Sequence, residues 1–184
     1  FANFDGVYYL LIAAKGYTVT AGFFPLFPLF IFLLTLPFVN FPYQTLLIID
    51  FFAGTILVSF FFLLSLILIY KLLRFDYPKK IAFLSIIFLL IFPTSFFFAT
   101  IYSESLFLLL TVLTFYSARK KKWILTSIFA GLLTATRLVG IAVIPALIFE
   151  FVIQNKTLFK TKALSLLLTP LGILVYMWFN FAKW

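Results

Sequence analysis

The apolar run Tyr43–Leu73 constrains the fold of this chain more than any other feature. As a helix rising about 1.5 Å per residue it would extend roughly 46 Å, whereas the hydrocarbon core of a bilayer is ~30 Å thick. It therefore predicts a membrane-crossing helix that tilts or extends beyond the membrane. The whole chain agrees, because 65% of its 184 residues are hydrophobic, 29 are phenylalanine and only 5 are acidic. We predict an all-α, polytopic transmembrane helical bundle.

Six apolar blocks can be drawn, covering residues 23–39, 43–73, 81–99, 104–118, 123–153 and 163–182. Residues 123–136 would reach only about 21 Å as a helix, which is too short to cross the membrane alone. We therefore expect the fifth block to be two short helices, joined near residues 137–140 and forming a hairpin. Pro93 is expected to end or kink the third block.

The positive charges lie in short segments between the apolar blocks, and the formal net charge is +9. They form three groups: Lys71, Arg74, Lys79 and Lys80; residues 119–122; and Lys156, Lys160 and Lys162. This pattern is typical of cytoplasmic loops rather than of a nucleic-acid-binding surface. The turns at residues 40–42, 100–103 and 137–140 would then face the opposite side.

The first apolar block is interrupted by Pro25, Pro28 and Pro37. It is also shorter than the about 20 residues of an ordinary spanning helix, so we expect it to lie in the outer interface. Residues 1–42 then form an extracytoplasmic loop with two juxtamembrane helices, and residues 43–184 form a single membrane domain. Because the chain starts at Phe1 without a methionine, we expect a fragment that is incomplete at both ends.

The polar residues limit the chemistry that the chain can perform. It has no cysteine and no histidine. Disulfides, thiol nucleophiles, imidazole ligands of zinc or haem, and a histidine base are therefore excluded. Any reaction must use Asp, Glu, Tyr, Ser, Lys or Arg.

Asp5 stands at the start of a short helical stretch that Gly16 would end. The simplest interpretation makes it the N-cap of that helix. Tyr8 and Tyr9 follow on the face below it, and a carboxylate flanked by phenols can accept a proton from a sugar hydroxyl. From the residues alone, a helix cap and a general base are equally good interpretations of Asp5. A lipid-facing stripe is expected from Val7, Leu10, Leu11 and Ala14.

Two further charged residues are candidates for the site: Lys15, near the end of this stretch, and Glu104, at the start of the fourth block. Lys15 is expected to extend toward lipid headgroups, or to bind a lipid phosphate. Ser103 is expected to cap the next helix, with Glu104 in its first turn, where the helix dipole favours an acid. Beside Tyr102, and on the same side as Asp5, Glu104 would also suit acid/base work or a divalent cation.

Arg137 lies within the fifth apolar block, about four turns from the nearest basic loop. An arginine inside a membrane is costly and usually functional, and its guanidinium matches the geometry of a phosphate. The structural alternative is an ion pair between Arg137 and Asp50, the acid inside the second block.

Four motifs, in this order, resemble the GPI mannosyltransferase II (PIG-V type) family and its prokaryotic relatives. They read "FDGVYYLLIAAKGY", "FFPLFPLF", "FPTSFFFATIYSESLF" and "TATRLVGIAVIP", and the similar regions cover residues 4–28 and 92–145. The family consists of multi-span glycosyltransferases of the GT-C fold. Phe4 stands where the family usually has tryptophan.

The resemblance implies transfer of a sugar, mannose in the characterised members, from a polyprenyl-phosphate donor to a glycan or glycolipid acceptor. It implies a multi-pass protein of the plasma membrane in a prokaryote, or of the endoplasmic reticulum in a eukaryote, with its active site on the non-cytoplasmic side. Asp5 takes the family's catalytic position, while Tyr102, Glu104 and Arg137 fall in its other motifs.

On this basis Asp5 is expected to deprotonate the acceptor, and Arg137, with Lys15, to stabilise the departing phosphate. Tyr8, Tyr9, Tyr102 and Glu104 are expected to bind substrate. No cofactor is certain, no nucleic acid is expected, and a divalent cation remains open. The main alternative is a transporter or flippase with Asp50, Glu104 and Arg137 along its path, and a non-catalytic membrane subunit is a third.

Overall fold

A computed structural model of the chain describes residues 4–18, 22–155 and 161–183, and within these ranges it is helical with no β-strand. Its α-helices are α1 (Asp5–Lys15), α2 (Leu26–Thr35), α3 (Tyr43–Leu73), α4 (Lys79–Ile91), α5 (Glu104–Arg119), α6 (Trp123–Thr134), α7 (Val143–Asn155) and α8 (Leu171–Lys183). Short 3-10 helices cover Leu36–Phe38, Pro93–Ala99, Leu138–Ala142 and Thr161–Leu168.

Three helical segments of the described residues are long and apolar enough to cross a membrane: Tyr43–Leu73, Leu138–Asn155 and Ala163–Lys183. A fourth crossing would combine α4 with Pro93–Ala99, although the two are bent by 83°. The bend follows from Phe92, which precedes Pro93 and adopts the extended backbone that a following proline favours. The predicted all-α membrane bundle and the predicted break at Pro93 are therefore confirmed.

The predicted break in the fifth block is also confirmed. Helix α6 ends at Thr134, and Arg137 is extended, with φ −158° and ψ 149°, before the chain turns into α7. The ring of Trp123, at the start of α6, meets that of Phe151, near the end of α7, with centroids 4.6 Å apart. The two helices thus run in opposite directions, as a hairpin requires.

Helix α5 lies at the centre of the bundle, packed against α3 on one side and α6 on the other. The inner face of α3 carries small and medium side chains, such as Ala53, Gly54 and Val58, whereas its outer face exposes larger ones. The exposed residues recur about every fourth position: Ile48, Phe52, Ile56, Phe60 and Leu63. This face suits contact with lipid, because a bilayer does not penalise exposed apolar side chains.

Helix α8 approaches α6 so closely that the contact requires glycine. A Cβ built on Gly172 would lie 2.1 Å from the backbone oxygen of Gly131. Small residues at such crossings let helix backbones meet in membranes. The middle of α8 is tied to the first segment of the chain, because the hydroxyls of Tyr17 and Tyr176 both donate to the carbonyl oxygen of Phe23.

Two of the three basic loops lie at the same end of the bundle. Arg119, the last residue of α5, forms an ion pair with Asp76 in the turn between α3 and α4. Lys156 and Lys160, from the third predicted loop, lie outside the described residues. That these loops are cytoplasmic, and that residues 1–42 lie on the opposite side, remain predictions.

Candidate active site

The start of α5 supplies two side chains to the site. The chain leaves the 3-10 helix at Ala99, turns, and begins α5 at Glu104 with Ser103 as its N-cap residue. Ser103 therefore has the predicted position, but it is only 1% exposed and its side chain makes no capping hydrogen bond. Its hydroxyl instead accepts a hydrogen bond from the phenol of Tyr9 at 3.1 Å.

Asp5 is the first residue of α1, not its N-cap. The N-cap is Phe4, whose φ of 48° lies in the left-handed region, and its side chain is 82% exposed. The left-handed turn at Phe4 starts the helix at Asp5, one position earlier than the Asp-cap pattern predicts. The Asp5 side chain is exposed at the positive end of the helix dipole, which favours a carboxylate.

Tyr9 connects α1 to the rest of the site. Its ring is buried between Phe23 and Phe27, each in an edge contact with centroids 5.2 Å away. Burial raises the pKa of Tyr9 above its usual 10.0, and the negative charges of Glu104 and Asp5 add to the rise, whereas the hydrogen bond with Ser103 and the charge of Arg137 oppose it. Tyr9 lies one turn after Asp5 on α1, so its hydrogen bond to Ser103 brings α1 to the start of α5.

The neighbours of Tyr9 on α1 differ from each other in exposure. Tyr8, three positions after Asp5, is 43% exposed and stacks on Phe23 with centroids 5.0 Å apart. Leu10 is buried in the core, so the predicted lipid-facing stripe does not include it. Helix α1 packs against both α2 and α3, so two of its sides are covered by protein and less of its surface is left to face lipid.

Arg137 and Glu104 form the central ion pair of the site. Nη1 of Arg137 lies 2.5 Å from Oε1 of Glu104, and the two side chains are 40% and 24% exposed. A guanidinium carries five N–H donors, so a contact through one nitrogen leaves others for a ligand. The pair is therefore both held in position and accessible.

The predicted ion pair between Arg137 and Asp50 is wrong. Asp50 is 1% exposed on the inner face of α3, and neither of its carboxylate oxygens has a hydrogen-bond partner in the described part of the chain. Thr35, the polar neighbour from α2, directs its hydroxyl to the carbonyl oxygen of Ile31. Arg137 pairs with Glu104 because α5 and α6 are antiparallel neighbours, which brings the start of one to the end of the other.

A signal for the Glu104–Arg137 pair was present in the sequence and missed. The short basic turn at residues 120–122 predicts an antiparallel helix pair, and positions equally far from its centre should meet. Counting outward from Lys121 brings Glu104 opposite Leu138, the neighbour of Arg137. The contact between Tyr9 and Ser103 has no comparable local signal.

The structure separates Lys15 from this site. Lys15 is the last residue of α1, so it lies about 15 Å along the helix from Asp5. Its ammonium sits 3.8 Å from the centroid of the Tyr43 ring. Tyr102 stays close to the site, half-buried beside Ser103 and stacked on Phe97 with centroids 6.0 Å apart.

Together these residues offer an exposed carboxylate at the start of α1 and a carboxylate–guanidinium pair at the start of α5. Such a set can accept a proton from a hydroxyl and bind a phosphate nearby. Within the described residues there is no group of three or more His, Cys, Asp and Glu side chains that could hold a metal ion.

The family model described as Mannosyltransferase (PIG-V) matches residues 1–178 of the chain's 184. The match includes every residue of the site, from Asp5 to Arg137. Neither a curated protein nor a solved structure matches the chain.

Proposed function

Since this chain belongs to the Mannosyltransferase (PIG-V) family and is a membrane glycosyltransferase, we propose that it transfers mannose from a polyprenyl-phosphate donor to an acceptor hydroxyl, with Asp5 as general base. The observation that carries the proposal is the meeting of α1, which begins at Asp5, with the start of α5, where Tyr9 donates a hydrogen bond to Ser103. The residue after Ser103 is Glu104, which forms the ion pair with Arg137. These groups come from three separate parts of the sequence, and their roles in the reaction are complementary.

In the proposed reaction the acceptor oxygen attacks the anomeric carbon of the sugar. The new carbon–oxygen bond forms as the bond from that carbon to the phosphate oxygen breaks, and the acceptor proton passes to the Asp5 carboxylate. The departing lipid phosphate carries the negative charge, and Arg137 stabilises it. No acid is needed on the leaving-group side, because a phosphate leaves as an anion.

The remaining residues support this chemistry from their positions. Glu104 orients Arg137 through the ion pair, and Tyr9 positions α1 by its hydrogen bond to Ser103. Tyr8 lies three positions after Asp5 and Tyr102 two positions before Glu104, and we assign both to contacts with the sugar or the acceptor. Lys15 takes no part in leaving-group stabilisation, because it lies at the other end of α1.

We assign the site to the non-cytoplasmic side of a multi-pass membrane protein. Support comes from the ion pair of Arg119 with Asp76, which joins two basic loops at one end of the bundle, whereas the site uses the opposite end of α5. The transporter alternative has less support, because the chain belongs to a transferase family and Asp50, which a transport path would need, is 1% exposed.

The experiment uses membranes that contain the full protein, supplied with radiolabelled polyprenyl-phosphate mannose. Transfer of label to glycolipid or glycan is measured for the wild type, Asp5→Asn and Asp76→Asn. Loss of a general base typically lowers the rate by about 10²- to 10⁴-fold, so Asp5→Asn should fall by at least about 100-fold. Asp76→Asn is the matched control, because it removes an exposed aspartate at the opposite end of the bundle.

Two results would contradict the proposal. If Asp5→Asn keeps more than about a tenth of the wild-type rate at equal protein level, Asp5 is not the general base. If the wild type transfers no label from this donor while another activated sugar is consumed, the donor class is wrong.

A further inference from the structure

A groove between α1 and α2 lies apart from the proposed active site. Its cavity volume is about 410 Å³, and its lining includes Ile12, Lys15, Tyr17, Pro25, Leu29 and Phe32. Apart from Lys15 and the tyrosine hydroxyl, these side chains are apolar. The groove begins where Gly16 ends α1 with a φ of 70°, which leaves no side chain at that corner.

The mouth of the groove opens on an apolar surface. Leu29 and Phe32 line it and are 45% and 36% exposed, and their neighbours on α2, Leu33 and Leu34, are exposed as well. A contiguous apolar surface of this kind in a membrane protein is covered by lipid chains. The groove is therefore accessible to a hydrocarbon chain from the bilayer.

The rim of the groove is positively charged. The Lys15 ammonium lies over the ring of Tyr43, and the ammonium of Lys183 donates a hydrogen bond to the carbonyl oxygen of Tyr17. None of the chain's five acidic residues lines the groove. An apolar groove with cations and tyrosines at its rim is complementary to a lipid whose headgroup is anionic.

We propose that this groove binds an anionic phospholipid of the bilayer, with an acyl chain between α1 and α2 and its phosphate at Lys15. Lys183 adds positive potential at the same rim. The lipid is not the sugar donor, a point that rests on the proposed role of Asp5. The donor phosphate is bonded to the carbon under attack and must lie beside Asp5, whereas Lys15 is about 15 Å away along α1.

A second groove provides an internal control. It has a volume of about 300 Å³ and is lined by Val7, Leu10, Leu11, Leu47, Ile48 and Phe51. It is apolar but has no cation in its lining, so it should show no preference for an anionic headgroup.

The test measures lipids retained by the purified full protein in native mass spectrometry. The protein is incubated in detergent with phosphatidylglycerol or with phosphatidylcholine of the same chain composition. The wild type should retain phosphatidylglycerol in preference. Lys15→Gln should lower that retention about fivefold, the effect of one lysine near an anionic lipid, whereas Lys15→Arg should keep it. Lys79→Gln, which removes a lysine elsewhere, should behave as the wild type.

A second pair of variants tests the groove itself. Ala14→Trp should fill the groove and lower phosphatidylglycerol retention, whereas Leu11→Trp, in the control groove, should leave it unchanged. Elution volume and helical circular dichroism of every variant are compared with the wild type, so that a binding loss is read only from folded protein.

Several outcomes would overturn the proposal. Equal retention of the two phospholipids, equal retention by Lys15→Gln and Lys79→Gln, or an unchanged Ala14→Trp variant would each contradict it. Displacement of phosphatidylglycerol by an equal concentration of polyprenyl phosphate would reassign the groove to the donor. Because the readout is binding, these results are independent of whether Asp5→Asn abolishes transfer.

Discussion

The ion pair between Glu104 and Arg137 makes the most specific prediction about the site. We consider a double-mutant cycle that combines Glu104→Gln, which keeps the shape of the side chain, with Arg137→Gln, which shortens it, and each change removes one charge. A hydrogen bond to a charged group contributes about 1.5–3 kcal/mol in proteins, and exposed ion pairs contribute about 1 kcal/mol or less. The side chains here are 40% and 24% exposed with a contact of 2.5 Å, so we expect a coupling energy of about 1–2 kcal/mol.

The coupling energy is measured from the free energy of unfolding in mixed micelles with increasing denaturing detergent. A parallel cycle with Asp50→Asn and Arg137→Gln is the matched control, because the structure has no ion pair between those residues. Its coupling energy should stay under about 0.5 kcal/mol. A larger coupling for Asp50 than for Glu104 would refute the geometry of the site.

Transfer activity gives a second measurement at the same two positions, with other variants. Arg137→Lys keeps the charge but loses the planar fork that matches a phosphate, so transfer should fall even where stability does not. The charge-reversed double variant Glu104→Arg with Arg137→Glu should recover part of the stability and none of the transfer. Recovery of transfer by the reversed pair would show that Arg137 does not act on the leaving phosphate.

Three further predictions concern the Tyr9 hydrogen bond, the close approach of Gly172 to α6, and the membrane topology. Tyr9→Phe should lower the free energy of unfolding by about 1 kcal/mol, because it leaves a buried serine hydroxyl without its donor. The folded pKa of Tyr9 is raised above 10.0, so its contribution is fully present below pH 10 and is lost as the pH rises through the folded pKa. The difference between wild type and Tyr9→Phe, measured by unfolding in mixed micelles, should therefore shrink above that pH. Gly172→Ala should cost about 1–3 kcal/mol in the same assay, since its Cβ would lie 2.1 Å from a backbone oxygen of α6. Gly22→Ala, with open space around its Cβ, should be nearly neutral, and equal losses would contradict the close crossing. Single cysteines at Asn40 and Lys80, probed in sealed vesicles with an impermeant thiol reagent, should label from opposite sides, and labelling from one side would contradict the assigned topology.

Element positions agree closely with expectations drawn from hydropathy and proline. The second apolar block coincides with α3, and the break near residues 137–140 falls between α6 and α7, where Arg137 and the 3-10 helix Leu138–Ala142 lie. These features depend on local properties, namely the length of an apolar run and the backbone restrictions of proline. Such properties are present in the residues themselves, wherever the neighbouring helices lie.

Contacts between helices were less predictable. An ion pair of Arg137 with Asp50 is the structural alternative that the sequence offers, yet the partner of Arg137 is Glu104. Lys15 is expected to stabilise the departing phosphate together with Arg137, although it lies at the opposite end of α1 from Asp5. Asp5 itself was correctly expected at the start of a helix, but the left-handed turn at Phe4 displaced it from the capping position.

The sequence by itself determined the class of protein, the number and approximate limits of its apolar helices, and the three segments from which the site is drawn. Only the tertiary structure decided that Tyr9 meets Ser103, that Glu104 pairs with Arg137, and that Gly172 lies against α6. In a membrane, lipid and protein interior are both apolar, so the hydrophobic pattern of a helix does not specify which face turns toward its neighbours. That choice depends on packing between complete helix surfaces, which forms only when the chain is folded.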